Sequence, residues 1–132
     1  MKKKKIKPQA IEPESVGKQS EKLVFGFSKL KPLSFVEAKN DSDFFINFLV
    51  RLQKLSDLDW NTVLRTQRHG FGKEFIEVSD LKPSAQHFLS DDVKKLMVLR
   101  SSGDNHPFLG IREGNVFHII FIEYTFGDIY SH

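Results

Sequence analysis

The segment 116–123 carries apolar side chains on both faces as far as Ile122, with His118 as the exception. A strand of this kind lies inside a sheet, where both of its faces are covered. Turn-forming residues separate it from two earlier segments that are also rich in β-branched and aromatic residues, 93–100 and 108–112. The C-terminal third therefore predicts an antiparallel meander whose last strand is central, with helices on at least one side.

Two tandem helices are predicted ahead of this meander. Residues 40–43 are of N-cap types, and apolar side chains follow them at helical spacing. These side chains are Phe44, Phe45, Phe48, Leu49, Leu52 and Leu55. Asp57 and Asp59 offer caps for a second helix, which ends before Gly70.

Shorter elements are predicted on either side of the helices. Alternating apolar residues over 23–28 indicate a short strand, and residues 75–78 indicate a short extended piece. Residues 84–92 look irregular.

Charge divides the chain into two parts. Residues 1–22 hold seven Lys and three Glu, whereas residues 23–132 hold 13 basic and 14 acidic side chains. The first part has too few apolar residues to offset its ordering entropy. We therefore predict a disordered basic leader over 1–22 and a single α+β domain over 23–132. A neutral domain argues against a fold whose whole surface binds a polyanion.

Composition excludes several classes of protein. With 132 residues, 39% of them hydrophobic and 28% charged, the chain has the size and usage of one globular domain, and its thirteen Phe suit an aromatic core. The absence of Cys excludes a disulfide scaffold, a thiolate zinc site and a Cys nucleophile. No apolar stretch suits a secretory signal or a membrane span. We expect a soluble, cytoplasmic protein that has no membrane partner and needs no cofactor.

Four cationic side chains fall within nine residues at the end of the second predicted helix: Arg65, Arg68, His69 and Lys73. The glycines among them permit close approach of a ligand. Convergent cations of this kind hold phosphate, and His donates a proton near neutral pH. The same residues also suit an ordinary helix C-terminus, where cations complement the helix dipole.

The other group of ionisable residues is the segment that holds Asp128, Tyr130 and His132. All three side-chain types take part in acid–base chemistry. His118, by contrast, lies among apolar neighbours, where a buried, hydrogen-bonded imidazole is the commoner outcome.

The last third of the chain resembles the C-terminal meander of the RelE/YoeB/YafQ-type toxins, which are mRNA interferases. The pattern consists of VLR (98–100), DNH (104–106), FLGIR (108–112), residues 115–123 and GDIY (127–130). The resemblance implies a RelE-like α+β fold, in which tandem N-terminal helices pack on a C-terminal antiparallel sheet. It also implies metal-independent endoribonuclease activity on mRNA, usually on the ribosome, by attack of the 2′-hydroxyl on the neighbouring phosphate. An antitoxin protein normally masks the site in that family.

The resemblance gives phosphate-binding roles to Arg100 and Arg112, and it likens Tyr130 to the terminal Tyr or His of such toxins. Combined with the ionisable groups above, it yields a predicted catalytic set and a predicted RNA-binding set, with no metal. The catalytic set is His69, Arg112, Tyr130 and His132, and the RNA-binding set is Arg65, Arg68, Lys73 and Arg100. The neutral domain departs from the family pattern, as does Pro107, which stands where the family often has Arg. Pro107 also predicts an edge strand or the first residue of a strand.

Two other functions remain open. A non-catalytic protein-interaction module agrees with the neutral domain and the aromatic abundance. A metal hydrolase built from His69, His118, His132 and Asp128 is the third, although no HxxxH or HxH spacing supports it.

Overall fold

The computed structural model describes residues 21–65, 74–100 and 106–132, and in these ranges the chain forms an α+β fold with three α-helices and a five-stranded mixed sheet. The strands are β1 (Val24–Gly26), β2 (Glu74–Glu77), β3 (Lys95–Arg100), β4 (Pro107–Glu113) and β5 (Val116–Ile122). The helices are α1 (Ser42–Ser56), α2 (Trp60–Arg65) and α3 (Pro83–Gln86), with 3-10 turns at Phe35–Ala38 and Val78–Asp80.

The sheet has the order β1-β5-β4-β3-β2. Strands β3, β4 and β5 form the predicted antiparallel meander, and β5 lies inside the sheet between β4 and β1, as predicted. Pro107 opens β4, which is one of the two positions that its missing N–H allows. The sheet extends beyond the predicted C-terminal antiparallel strands and is mixed, because β1 joins it in parallel with β5, with Val24 opposite Val116.

Both predicted helix starts are confirmed by their caps. The Asp41 carboxylate accepts a hydrogen bond from the Phe44 amide at 3.1 Å, and the Asp59 carboxylate accepts one from the Thr62 amide at 2.9 Å. Each cap satisfies an amide that the first turn leaves without an intrahelical partner. The predicted break at Gly70 lies outside the described residues.

Residues 84–92 are less irregular than predicted, because Pro83–Gln86 forms a short helix. Pro83 suits the first turn, where its fixed φ is compatible with the helix and its missing N–H has no role. One helical turn is too short to produce a periodic apolar pattern. Of the predicted leader, residues 1–20 lie outside the described residues. Glu21 is described, and its carbonyl accepts a hydrogen bond from the Trp60 amide at 2.9 Å.

The buried side chains form two clusters, which take alternate residues of β3 and so lie on opposite faces of the sheet. The ring cluster holds many aromatic groups, and in it Phe48 of α1 lies edge-on to Phe108 of β4, with ring centroids 5.3 Å apart. The tail cluster lies on the other face, is mainly aliphatic and includes Ile129 and Tyr130.

A bulge in β5 adjusts which residues reach each cluster. Leu109 pairs with Phe121 and Gly110 pairs with Ile119, so Ile120 is an extra residue. Ile120 and Phe121 consequently both join the tail cluster. At this bulge a Cβ on Gly110 would collide with the carbonyl oxygen of His118, so the position requires glycine. Across the described part of the chain, no helix has both the length and the apolar character needed to cross a bilayer.

Candidate active site

The segment after β5, residues 123–132, folds back against the sheet. Gly127 takes a positive φ of 91° in the turn, a conformation that favours glycine. The chain then forms an antiparallel bridge in which Tyr130 pairs with Leu81, and the Lys82 amide donates to the Ile129 carbonyl at 2.7 Å. Ile129 and Tyr130 are buried. This anchoring fixes the ionisable side chains of the segment in place.

Tyr130 meets an ion pair that joins β2 and β3. Arg100 Nη2 lies 2.6 Å from Glu74 Oε2, and the same nitrogen donates to the Tyr130 hydroxyl at 2.9 Å. The hydroxyl in turn donates to Glu74 Oε2 at 3.3 Å. The end of β3 is also tied to α1, since Arg51 Nε donates to the Arg100 carbonyl at 3.0 Å. The guanidinium is therefore held by Glu74 and Tyr130, while α1 holds the backbone of Arg100.

His132 meets a buried carboxylate. Its Nε2 lies 2.7 Å from Glu123 Oε1, while Glu123 Oε2 accepts a hydrogen bond from the Ile129 amide at 2.8 Å. Glu123 is wholly buried. His132 is exposed as a residue, but its side chain is only 9% exposed. A carboxylate on one ring nitrogen orients the imidazole and leaves the other nitrogen, Nδ1, for exchange of a proton with a ligand.

Ring stacking joins the Glu74–Arg100 pair, through Tyr130, to the Glu123–His132 pair. The His132 ring lies between the rings of Tyr130 and Phe126, with centroids 4.1 Å and 4.0 Å away and interplanar angles of 31° and 27°. Phe126 is 55% exposed and forms the outer end of the stack. We call the connected ionisable groups the tail network: Glu74, Arg100, Glu123, Tyr130 and His132.

Burial raises the pKa of Tyr130 far above the usual phenol value, and the nearby carboxylates of Glu74 and Glu123 raise it further, against the opposing effect of Arg100. The phenol consequently keeps its proton throughout the neutral range. Its hydroxyl donates this proton to Glu74 and accepts from Arg100. The network thus combines a fixed guanidinium, a protonated phenol and a carboxylate-oriented imidazole.

Of the predicted site residues, the structure brings Arg100, Tyr130 and His132 together. Arg65 is exposed at the end of α2. Residues 68, 69 and 73 lie outside the described part of the chain, so the predicted roles of Arg68, His69 and Lys73 stay predictions.

The structure places Arg112 apart from the tail network. Arg100 pairs with Pro107 at the start of β4. Arg112 lies five residues further along that strand, so its backbone is about 16 Å from that of Pro107. Its guanidinium carbon lies 4.2 Å from the centre of the Trp60 ring, and its Nε donates to the Gly114 carbonyl at 2.7 Å.

The sequence analysis missed Glu74, Glu123 and Phe126. Glu123 carried a usable signal, because a carboxylate directly after a buried strand needs hydrogen-bond partners. Glu74 carried none, because its pairing with Arg100 depends on how β2 and β3 are aligned.

Of the metal-hydrolase residues, His69 lies outside the described part of the chain, and His118, His132 and Asp128 do not converge. His118 Nε2 pairs with Glu113 at 2.9 Å, and Asp128 accepts a hydrogen bond from the Ser34 hydroxyl at 2.8 Å. Among the described residues, no three His, Asp or Glu side chains form a group that could hold a metal ion.

Comparison with protein-family models, with curated proteins and with solved structures gave no match for this chain. The roles of these side chains must therefore be argued from their own chemistry.

Proposed function

We propose that the chain is a metal-independent endoribonuclease of the RelE-like toxin class and that the tail network is its active site. The observation that carries the proposal is the meeting of Arg100, at the end of β3, with Tyr130 and His132 of the 123–132 segment in one connected network. The order of elements supports the proposal, since two tandem helices precede the strands of the meander. The proposed substrate is mRNA, presented on the ribosome, and the proposed regulator is an antitoxin protein.

The chemistry divides among these groups as follows. His132, oriented by Glu123, removes the proton from the 2′-hydroxyl, and the 2′-oxygen then attacks the adjacent phosphorus. A bond forms between the 2′-oxygen and phosphorus while the bond from phosphorus to the 5′-oxygen breaks. The 5′-oxygen takes up a proton from water and the protonated His132 returns its proton to water, so the products are a 2′,3′-cyclic phosphate and a 5′-hydroxyl.

Arg100 stabilises the charge that develops on the phosphate oxygens, while Tyr130, whose single proton is donated to Glu74, accepts from Arg100 Nη2 and holds the guanidinium. The guanidinium contacts Glu74 and Tyr130 through Nη2, and its other N–H groups can donate to a phosphate oxygen. Glu74 holds the guanidinium and the phenol in position. We assign it the role of a positioning residue.

The neutral domain fits a substrate that another particle presents. Affinity for free RNA grows with the number of cations that neutralise phosphates, and residues 23–132 carry no excess of basic side chains. We therefore expect faster cleavage of mRNA on ribosomes than of the same mRNA free in solution.

The test compares Arg100→Gln with Lys95→Gln in a ribosome-bound mRNA cleavage assay. Lys95 is a matched control because it lies on the same strand and pairs with Glu77 of β2 at 3.7 Å, away from the tail network. Arg100→Gln should lower the cleavage rate at least about 100-fold, as expected for loss of a group that stabilises transition-state charge. Lys95→Gln should leave the rate unchanged. The activity should persist in EDTA and leave cyclic phosphate ends.

Urea unfolding of both variants checks that the fold is intact. Equal cleavage by the wild type and a folded Arg100→Gln variant would show that the tail network is not the active site. A wild-type chain that cleaves neither ribosome-bound nor free mRNA would contradict the endoribonuclease proposal.

A protein-interaction module remains the second candidate because α1 has an apolar stripe on its outer side. Ile46, Leu49 and Val50 are 56%, 62% and 42% exposed, and their spacing places them on one helix face. An exposed apolar stripe of this kind is typical of a surface that binds another protein. An inactive wild type that elutes in size-exclusion chromatography at a higher mass than Leu49→Lys would favour this candidate.

A further inference from the structure

Phe126 combines large exposure with a close ring contact. It is 55% exposed, yet its ring stacks on His132 with centroids 4.0 Å apart. Single exposed aromatic residues are ordinary on protein surfaces. Phe126 differs because the ring beneath it belongs to the proposed acid–base group. A ring that stacks on one neighbour and keeps this much exposed surface can receive a second ring on its other face.

The turn that carries Phe126 is well fixed. The Asp128 amide donates to the Thr125 carbonyl at 3.0 Å, and the Asp128 carboxylate accepts from the hydroxyl of Ser34. That hydroxyl also accepts from the Tyr124 amide at 2.8 Å. The Phe126 ring is thus presented by backbone that is held on both sides, which suits a residue that positions a ligand.

We infer that Phe126 is a substrate-positioning residue on which one unpaired RNA base stacks, next to the phosphate bound by the tail network. This inference rests on the proposed function. Bases of single-stranded RNA stack on aromatic side chains, and the interaction tolerates any base because each has a π-face. The stack of Phe126, His132 and Tyr130 then leads from the base to the guanidinium of Arg100.

The experiment uses binding and not cleavage as its main readout. A short fluorescein-labelled RNA with one 2′-deoxynucleotide at the scissile position cannot be cleaved, since it lacks the attacking hydroxyl. Its dissociation constant for the full chain is measured by fluorescence anisotropy at low salt. The variants are Phe126→Leu, Phe126→Trp and the control Phe27→Leu, which replaces another exposed Phe, 47% exposed on a different segment.

Phe126→Leu should raise the dissociation constant about tenfold, which corresponds to about 1.4 kcal/mol and lies within the range for base–aromatic stacking. Phe126→Trp should retain the affinity, and Phe27→Leu should not change it. An abasic site in the RNA at the stacking position should weaken binding to the wild type, with no further loss in Phe126→Leu. This coupling would not arise if Phe126 only shielded His132 from water.

Unchanged affinity in Phe126→Leu, or equal losses in Phe126→Leu and Phe27→Leu, would overturn the inference. So would a wild type with no measurable affinity for the RNA. If Phe126 governs binding but RNA with its 2′-hydroxyl is not cleaved, the base-stacking role stands and the endoribonuclease proposal fails. The two proposals can therefore be rejected separately.

Discussion

The ring cluster and the tail cluster bury opposite faces of one sheet with different chemistry. In the ring cluster, aromatic groups meet edge to face, as Phe108 does with both Phe48 and Phe117. The tail cluster is mainly aliphatic, and the tail network joins it through Tyr130. Glu123, wholly buried, belongs to that network.

The two kinds of burial respond differently to a lost group. Removing a ring leaves a cavity, and the free-energy cost depends on how far the neighbours collapse into it. Removing one member of a buried polar network leaves its partners without hydrogen bonds, so the cost depends on how many partners are stranded. The ring cluster is thus organised by shape, while the tail network is organised by hydrogen-bond satisfaction.

The largest effect is expected in the ring cluster. Phe48→Ala should lower the free energy of unfolding by about 3 to 5 kcal/mol, because it removes a buried ring that contacts Phe108. Urea unfolding measures the change. The neighbouring substitution Leu49→Ala is the control and should cost less than about 0.5 kcal/mol, since Leu49 is 62% exposed. A loss below about 1 kcal/mol in Phe48→Ala would mean that the ring cluster contributes little.

A smaller effect is expected in the tail network. Glu123→Ala should cost about 1 to 3 kcal/mol, because the buried Ile129 amide loses its acceptor and the His132 imidazole loses its partner. Hydrogen exchange of the Ile129 amide should accelerate at the same time. Glu113→Ala is the matched control, as Glu113 also pairs with a histidine but its side chain is 66% exposed. If both variants lose the same stability, burial of Glu123 has no special consequence.

The smallest effect appears only at high pH. The pKa of Tyr130 is raised in the folded protein, so its contribution to stability is complete below the unfolded phenol value of about 10. As the pH rises above that value, the unfolded chain loses the proton first and the contribution declines. Tyr130→Phe should therefore flatten the fall in stability above pH 10, measured by urea unfolding across that range. An unchanged slope would indicate that the phenol ionises equally in both states.

Much of the fold could be predicted from local sequence signals. Caps at Asp41 and Asp59 marked the two helices, and turn residues marked the meander. The parallel pairing of β1 could not be predicted, because a three-residue strand has no pattern that specifies its partner. Nor could α3, whose single turn is made of residues that also occur in irregular segments.

The candidate site was predicted in part for a similar reason. Tyr130 and His132 are close in sequence, so local sequence was enough to place them in one candidate site. Glu74 meets Arg100 only through the alignment of β2 with β3, which no local signal encodes. The predicted meander already implied that Arg112 and Arg100 are far apart. Antiparallel neighbours place the end of one strand beside the start of the next, and both arginines lie near the ends of their strands.

The pairing of β1 with β5 also bears on how the chain folds during synthesis. Gly26 leaves the ribosome long before His118, its partner in the parallel pair. Strand β1 therefore cannot pair until β5 has been synthesised. The helices between these strands depend on local contacts and can form earlier. Contacts of such long sequence separation slow folding and leave apolar segments open to wrong partners in the interval. We expect the sheet to close only after translation has passed β5, so the first strand made is the last to be placed.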